Sequence, residues 1–332
     1  MASSSQIKAL LKSYIDNDDS RFYATAMQLA ADEAKRGHGK VAGEIRKLID
    51  DARSSKILLP SHKFPTLIVR PNKELSDLLS VSYPKIRLAD MTLESKLLIR
   101  INRLLEEQRN IEKITAHGLN PRKRLLFTGL PGCGKTMSAS AIAGELGLPL
   151  FVVRLDGLIT KFMGESIAKL RAIFDSIQNT RAVYLFDEFD SIGTHRGVTN
   201  DVGEIKRILN SFLMYIEEDN SNSIIIAATN HPQSLDYALF RRFDELLEFG
   251  SPTKELISEF LRKRLSEYKI NKEDIDKLSS EAEGLSFADI EIACDDAVKM
   301  AILSNRKTIK LDELHKTLEE RISFHDKYKK SI

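Results

Sequence analysis

The residues with the clearest chemistry are Gly129-Leu130-Pro131-Gly132-Cys133-Gly134-Lys135-Thr136, which satisfy the spacing G-x-x-x-x-G-K-[ST]. Glycines at these positions let backbone N–H groups approach anionic oxygens. Lys135 can neutralise the β- and γ-phosphates of ATP, and Thr136 can offer its hydroxyl to Mg²⁺. The run follows a strand-like apolar stretch at residues 124–128 and precedes a helix-period stretch at residues 137–146, so a helix N-terminus should face the phosphates. The expected nucleotide contacts are Pro131, Gly132, Cys133, Gly134, Lys135, Thr136 and Met137.

Further along, Val183-Tyr184-Leu185-Phe186-Asp187-Glu188 ends an apolar run in two adjacent carboxylates. Doubly wound sheets place ligands at strand ends of this kind. Asp187 can hold Mg²⁺ through its water shell, and Glu188 can orient and deprotonate an attacking water. The next apolar run ends in Ala228-Thr229-Asn230, which brings an amide to the same sheet edge, where Asn230 can bond the γ-phosphate or that water. Arg241 and Arg242 follow at the end of a short helix-like segment. Arginines there commonly serve a helix dipole, or they reach a neighbouring subunit's γ-phosphate.

These side chains need a scaffold. Apolar runs at residues 124–128, 150–155, 182–186, 223–228 and 245–249 alternate with amphipathic helical patterns. That alternation predicts an α/β P-loop fold, a doubly wound parallel sheet of five strands with helices on both faces. A helix is expected at about residues 93–114. Residues 251–332 carry helical periodicity alone and should form a helical lid closing an ATPase domain at 86–250. At the other end, segments around residues 7–15, 22–30 and 41–49 read as an N-terminal helical module covering residues 1–56, with Gly37-His38-Gly39 as a turn. Pro60, Pro65, Pro71 and Pro84 interrupt residues 57–85, which read as a linker.

Composition narrows the classes. Apolar content of 42% supports packed cores, and a net charge of +2 supplies no field that would hold nucleic acid or anionic lipid by electrostatics alone. The first residues lack a signal-peptide pattern, and no apolar run approaches the ~20 residues of a membrane span, so a cytoplasmic protein is expected. Cys133 and Cys294 should be reduced thiols, since a disulfide in the phosphate loop would hinder nucleotide entry.

Taken in order, these motifs resemble the AAA+ ATPases, specifically the classical AAA branch, over about residues 86–320. The resemblance implies that Asn230 is a sensor and that Arg241 and Arg242 are arginine fingers. It implies a homo-oligomeric, hexameric ring acting on a polypeptide substrate. Lys161-Phe162-Met163-Gly164-Glu165-Ser166 looks like the family's pore loop, with Lys161, Phe162 and Met163 gripping the threaded chain. Gly284-Leu285-Ser286-Phe287-Ala288-Asp289-Ile290 is similar to its lid motif, which sets Ala288 near ribose and base, and Asp90 and Met91 are expected near adenine. Phe287 departs from the family's usual Gly, residues 255–268 lack the His that many relatives place near adenine, and Arg241-Arg242 lack the longer Pro-Gly spacing of many relatives. The implied activity is ATP hydrolysis coupled to protein remodelling. Alternatives are an ATP-driven switch activating a partner, such as a serine protease in bacterial antiphage defence, and a nucleic-acid motor, which the balanced charge argues against.

Overall fold

The computed structural model describes residues 19–35, 37, 42–43, 75, 78–155, 158, 165–192, 201–268, 272–306 and 308–329. The chain divides into two compact units, Met1–Thr66 and Leu67–Ile332. In the first, helix α1 spans Asp19–Lys35 and buries Ala26 and Ala30, one helical turn apart. The expected helix at residues 7–15 and the His38 turn residue lie outside the described residues. So does most of residues 41–49, of which Ala42 and Gly43 are described as helical.

The second unit is built on a six-stranded sheet of order β1-β3-β4-β5-β2-β6. Its strands are β1 (Leu79–Ser82), β2 (Arg124–Gly129), β3 (Leu150–Arg154), β4 (Val183–Asp187), β5 (Ile224–Thr229) and β6 (Glu245–Phe249). The five expected strands are present and parallel to one another. The sixth, β1, corrects the expectation of five and falls within the stretch read as a linker. It pairs antiparallel with β3 at the sheet edge, from Leu79 opposite Val153 to Ser82 opposite Leu150. Prolines punctuate residues 57–85, yet the span between Pro71 and Pro84 is free of them. An edge strand needs a partner on one side only, so Leu-Ser-Val-Ser with a buried first residue suffices, and Pro84 follows where pairing ends.

All six residues of β5 are buried, because helices cover both faces of the sheet. On one face α5 (Ser166–Asn179) and α6 (Asp201–Glu218) cover Phe151, Tyr184 and Phe186, with Phe212 packed edge-on against Phe174 and Phe186. On the other, α2 (Ser95–Arg109) and α4 (Lys135–Leu146) cover Leu125, Phe127 and Leu185. The helix expected through residue 114 is broken at Asn110, whose side-chain amide donates to Glu106 O at 2.8 Å. A six-residue helix α3 (Ile111–Ala116) follows.

Beyond β6 only helices occur among the described residues, after the short α7 (Tyr237–Phe240) that precedes that strand. They are α8 (Lys254–Arg264), α9 (Lys272–Glu281), α10 (Phe287–Leu303) and α11 (Leu311–Lys329), closed around Ile257, Leu261, Leu278, Ile290, Leu314 and Leu318. No helix among the described residues is long and apolar enough to cross a membrane.

Candidate functional site

The strand order makes β2, β5 and β4 consecutive neighbours, so their carboxyl ends carry Gly129, Thr229 and Asp187 to one edge of the sheet. Gly129 leaves β2 at φ 141°, where a Cβ would stand 2.1 Å from Phe249 O, so glycine is required there. The loop then enters α4, and Lys135 turns its ammonium back across it. Lys135 Nζ donates to Gly129 O and Leu130 O, both at 2.8 Å, and to Asn230 Oδ1 at 2.7 Å. Burial holds its pKa below the ordinary lysine value, an effect only partly offset by Cys133, Asp187 and Asp190. Cys133 lies 3% exposed with its thiol pKa raised by burial, and both cysteines are free.

Thr136 Oγ1 donates to Asp187 Oδ2 at 2.9 Å, joining the helix start to the end of β4. A hydroxyl and a carboxylate at this spacing are hard oxygen donors of the kind Mg²⁺ selects. Glu188, next along, adopts φ 50°, a left-handed conformation that costs a non-glycine residue ~1–2 kcal/mol. The turn is held by Glu188 N–H on Asp187 Oδ1 at 3.0 Å and by Ser191 N–H on Glu188 O at 2.8 Å. Strain of this kind concentrates at functional sites because the surroundings over-determine it.

The lid closes the other side. Gly284 turns the chain at φ 93°, and Ser286 caps α10 in a reciprocal box with Asp289. The cap leaves a first-turn donor of α10, Ala288 N–H, which reaches Gly132 O at 3.2 Å. Lys263 Nζ adds a second tie, to Met91 O at 2.8 Å. Between lid and sheet lies a cavity of about 400 Å³. Its walls include Asp90, Met91, Gly132 to Met137, Asp187, Glu188, Asn230 and Ala288.

The structure therefore brings together nearly all the expected nucleotide and metal contacts. Pro131 flanks them in the loop, where its carbonyl faces Cys133 Sγ at 3.9 Å. Arg241 and Arg242 are not among the lining residues. Arg242 pairs with Glu217, and the Arg241 guanidinium stacks over Tyr237 at 5.3 Å. Lys161, Phe162 and Met163 lie outside the described residues.

Sequence reasoning missed Phe260 and Thr92. Phe260 also lines the cavity and packs against Phe287 with ring centroids 5.3 Å apart, so an aromatic pair from α8 and α10 stands near Asp90 and Met91. Phe260 follows Ile257 by three and precedes Leu261, so its helical period reads as core. Thr92 is 7% exposed, and its Oγ1 makes no hydrogen bond among the described residues. An orphan hydroxyl and two aromatic rings in the lining of one cavity fit a site that takes a nucleobase with polar edges.

Three comparisons bear on the site. A family model described as "ATPase family associated with various cellular activities (AAA)" matches residues 125–251. The chain is 34% identical over 325 residues to an uncharacterised AAA family ATPase, y4kL, of Sinorhizobium fredii (strain NBRC 101917 / NGR234), covering 96% of each. It is 32% identical to the ATP-dependent zinc metalloprotease FtsH 1 of Conexibacter woesei over 75% of this chain and 39% of that protein. With the peroxisomal ATPase pex6 of Schizosaccharomyces pombe it is again 32% identical, over 66% of this chain and 24% of that protein. Among solved structures, the AAA domain of FIGL-1 superposes with a TM-score of 0.61 at 21% identity, over 80% of this chain and 97% of that one, a likeness of fold.

Proposed function

The chain belongs to the AAA family of ATPases, and we propose that it hydrolyses ATP to ADP and phosphate and uses the energy to remodel a polypeptide drawn through a ring of identical subunits. One observation carries the hydrolytic part. Lys135 bonded to Asn230, and Thr136 bonded to Asp187, tie the phosphate loop to the ends of β5 and β4 in a single hydrogen-bonded group.

Phosphoryl transfer of this kind is mostly positioning plus electrostatic stabilisation. The loop from Gly132 to Thr136 binds the phosphates, and Ala288, Asp90, Met91 and Met137 line the base and ribose end. Lys135 offsets charge on the β- and γ-oxygens. Thr136 and Asp187 would hold Mg²⁺, which when bound neutralises charge developing on the phosphate oxygens. Glu188 takes the proton of the attacking water, and its left-handed backbone fixes where its carboxylate emerges. Asn230 spends its carbonyl oxygen on Lys135, so its amide Nδ2 is the end free to donate toward the γ-phosphate or the water.

Arg241 and Arg242, outside the cavity of their own subunit, are proposed to complete a neighbour's site, the arrangement that assembly into a homo-oligomeric, hexameric ring would supply. Lys161, Phe162 and Met163 would grip the polypeptide in the pore. The 1–56 helical module is assigned to substrate or partner recognition, by analogy with where such ATPases carry specificity. A second reading makes the chain an ATP-driven switch for a partner such as a serine protease in bacterial defence; the residues at issue are the same site with a different output.

Changing Glu188 to Gln should leave ATP binding intact and lower turnover by ~10²–10⁴-fold. Wild-type turnover by that variant would remove Glu188 as the base. Phe162→Ala should retain basal hydrolysis and lose substrate remodelling, and normal remodelling would remove the pore assignment.

A further inference from the structure

Asp190 is a charged residue that the mechanism above does not use. It follows Glu188 by two positions in the short 3-10 turn Phe189–Ile192. The turn is anchored from below by Phe189, fully buried against Phe212 at 4.8 Å between ring centroids. On the other side Asp190 Oδ1 accepts from Thr229 Oγ1 at 2.8 Å and from Asn230 N–H at 3.2 Å. Thr229 is itself fully buried, and its hydroxyl oxygen accepts from His231 N–H at 3.0 Å. One carboxylate oxygen thus gathers the corner at the end of β5, and the Thr229 hydroxyl is satisfied as both donor and acceptor.

The corner matters because of what it carries. Asn230 Oδ1 lies 2.7 Å from Lys135 Nζ, and the amide that remains is the group aimed at the terminal phosphate in the reading above. Asn230 stands just beyond β5 with no further strand pairing to hold it. The phosphate loop links the turn after β4 and the corner after β5 only indirectly, through Lys135 and Thr136, whereas Asp190 joins them directly.

We infer that Asp190 is a positioning residue that locks residues 229–231 to the turn bearing Asp187 and Glu188, so that Asn230, Lys135 and Glu188 keep one mutual geometry. This rests on the proposed ATPase reading of the site. Asp190 touches no nucleotide in this scheme; it acts through Asn230. Losing it should therefore weaken catalysis and recognition of the γ-phosphate while sparing contacts to the rest of the nucleotide.

The test uses the full chain with Asp190→Ala, Asp190→Asn and Thr229→Val. A displacement of about 1 Å at a reacting centre costs ~10²-fold, so Asp190→Ala should lower kcat by roughly 10–100-fold. Affinity for ADP, read by displacement of a fluorescent mant-ADP probe, should stay within about threefold. Asp190→Asn keeps an oxygen that can accept from Thr229 and Asn230 N–H, and should recover kcat to within about fivefold of wild type. Thr229→Val keeps the side-chain shape but removes the donor to Asp190 and the acceptor for His231 N–H, leaving Asn230 N–H on Asp190, and gives an intermediate loss even if Asp190→Ala fails to fold.

A readout that needs no turnover separates this inference from the reading beneath it. In a Glu188→Gln background, Asp190→Ala should reduce the preference for ATP over ADP by about tenfold, since γ-phosphate contacts alone are disturbed. Failure of Glu188→Gln to slow hydrolysis would overturn the assigned base and leave this comparison intact. The positioning role is overturned if Asp190→Ala keeps wild-type kcat and ATP preference. It is equally overturned if Asp190→Asn is as impaired as Asp190→Ala, or if ADP affinity and kcat fall in parallel, as a purely structural role requires.

Discussion

Gly144 offers a test in which local and tertiary physics have opposite signs. It lies inside α4 without a left-handed φ, so the helix itself does not require glycine. On propensity alone Gly144→Ala would stabilise the helix by ~1 kcal/mol. The Cβ, however, would stand 2.2 Å from Ile86 O and 3.3 Å from Pro84 O, and a backbone carbonyl has no rotamer by which to yield. The segment must withdraw, although it is bound to α4 by Arg87 Nη1 on Gly144 O at 2.5 Å and by Leu88 N–H on Glu145 Oε1 at 3.3 Å. Overpacking costs ~1–3 kcal/mol, and loosening those two bonds adds ~1–2 kcal/mol. Set against the propensity gain, the net is a destabilisation of ~1–4 kcal/mol. At about 2–4 °C per kcal/mol, thermal unfolding should occur about 2–16 °C lower. The same segment runs on to Asp90 and Met91 on the cavity wall, so mant-nucleotide affinity should fall as well. Gly203 in α6 is the control: a Cβ there meets nothing within 4 Å, and Gly203→Ala should raise stability by ~0.5–1 kcal/mol. A Gly144→Ala protein that melts higher than wild type, as Gly203→Ala should, would refute the reasoning.

Phe260→Ala removes one ring of the pair at the cavity's base end; at ~1–3 kcal/mol per stacked base, KM for ATP should rise at least fivefold with kcat little changed, and a fall in kcat at constant KM would contradict the assignment. Mixing Arg242→Ala with Glu188→Gln subunits should restore part of the activity absent from either alone, because one interface then holds an intact base and an intact arginine; no recovery in rings shown to be mixed would count against action between subunits. Burial raises the Cys294 thiol from 9.0 to about 12 in the lid core. A group whose pKa rises on folding binds its proton more tightly in the native state, so this stability is fully present below pH 9 and is lost as pH rises toward about 12. Alkaline melts should show that decline and Cys294→Ala should lessen it; at pH 8, Ellman's reagent should label neither buried thiol in the folded protein.

How far the site was legible in the sequence depended on how many chain segments each feature needed. The phosphate loop is one segment, and its Gly, Lys and Thr carry their roles in their spacing. Asp187 and Asn230 were readable because each ends an apolar run, and strands in such folds end at the site. Features that need two distant backbones to approach left no mark of that kind. The edge strand β1 was hidden among prolines, since its pairing with β3 is visible only once both are placed. Phe260 sits on a helix whose period is explained by the lid core, and Asp190 reads as one more acidic residue until Thr229 and Asn230 are beside it.

Gly132 shows that a glycine expected for one reason can have a second use in the fold. Its spacing identifies it as a phosphate-loop glycine, and its φ of 75° suits that use. Yet a Cβ there would lie 2.5 Å from Ser286 Oγ and 3.0 Å from Ala288 Cβ, both on the lid, while Gly132 O accepts from Ala288 N–H. The residue proposed to let phosphates come close is also the one that lets α10 dock. The lid and the loop therefore meet at one backbone position, apart from the contacts made by Phe260 and Lys263. Ser286 and Asp289 contribute by capping α10 so that Ala288 N–H stays aimed at that carbonyl.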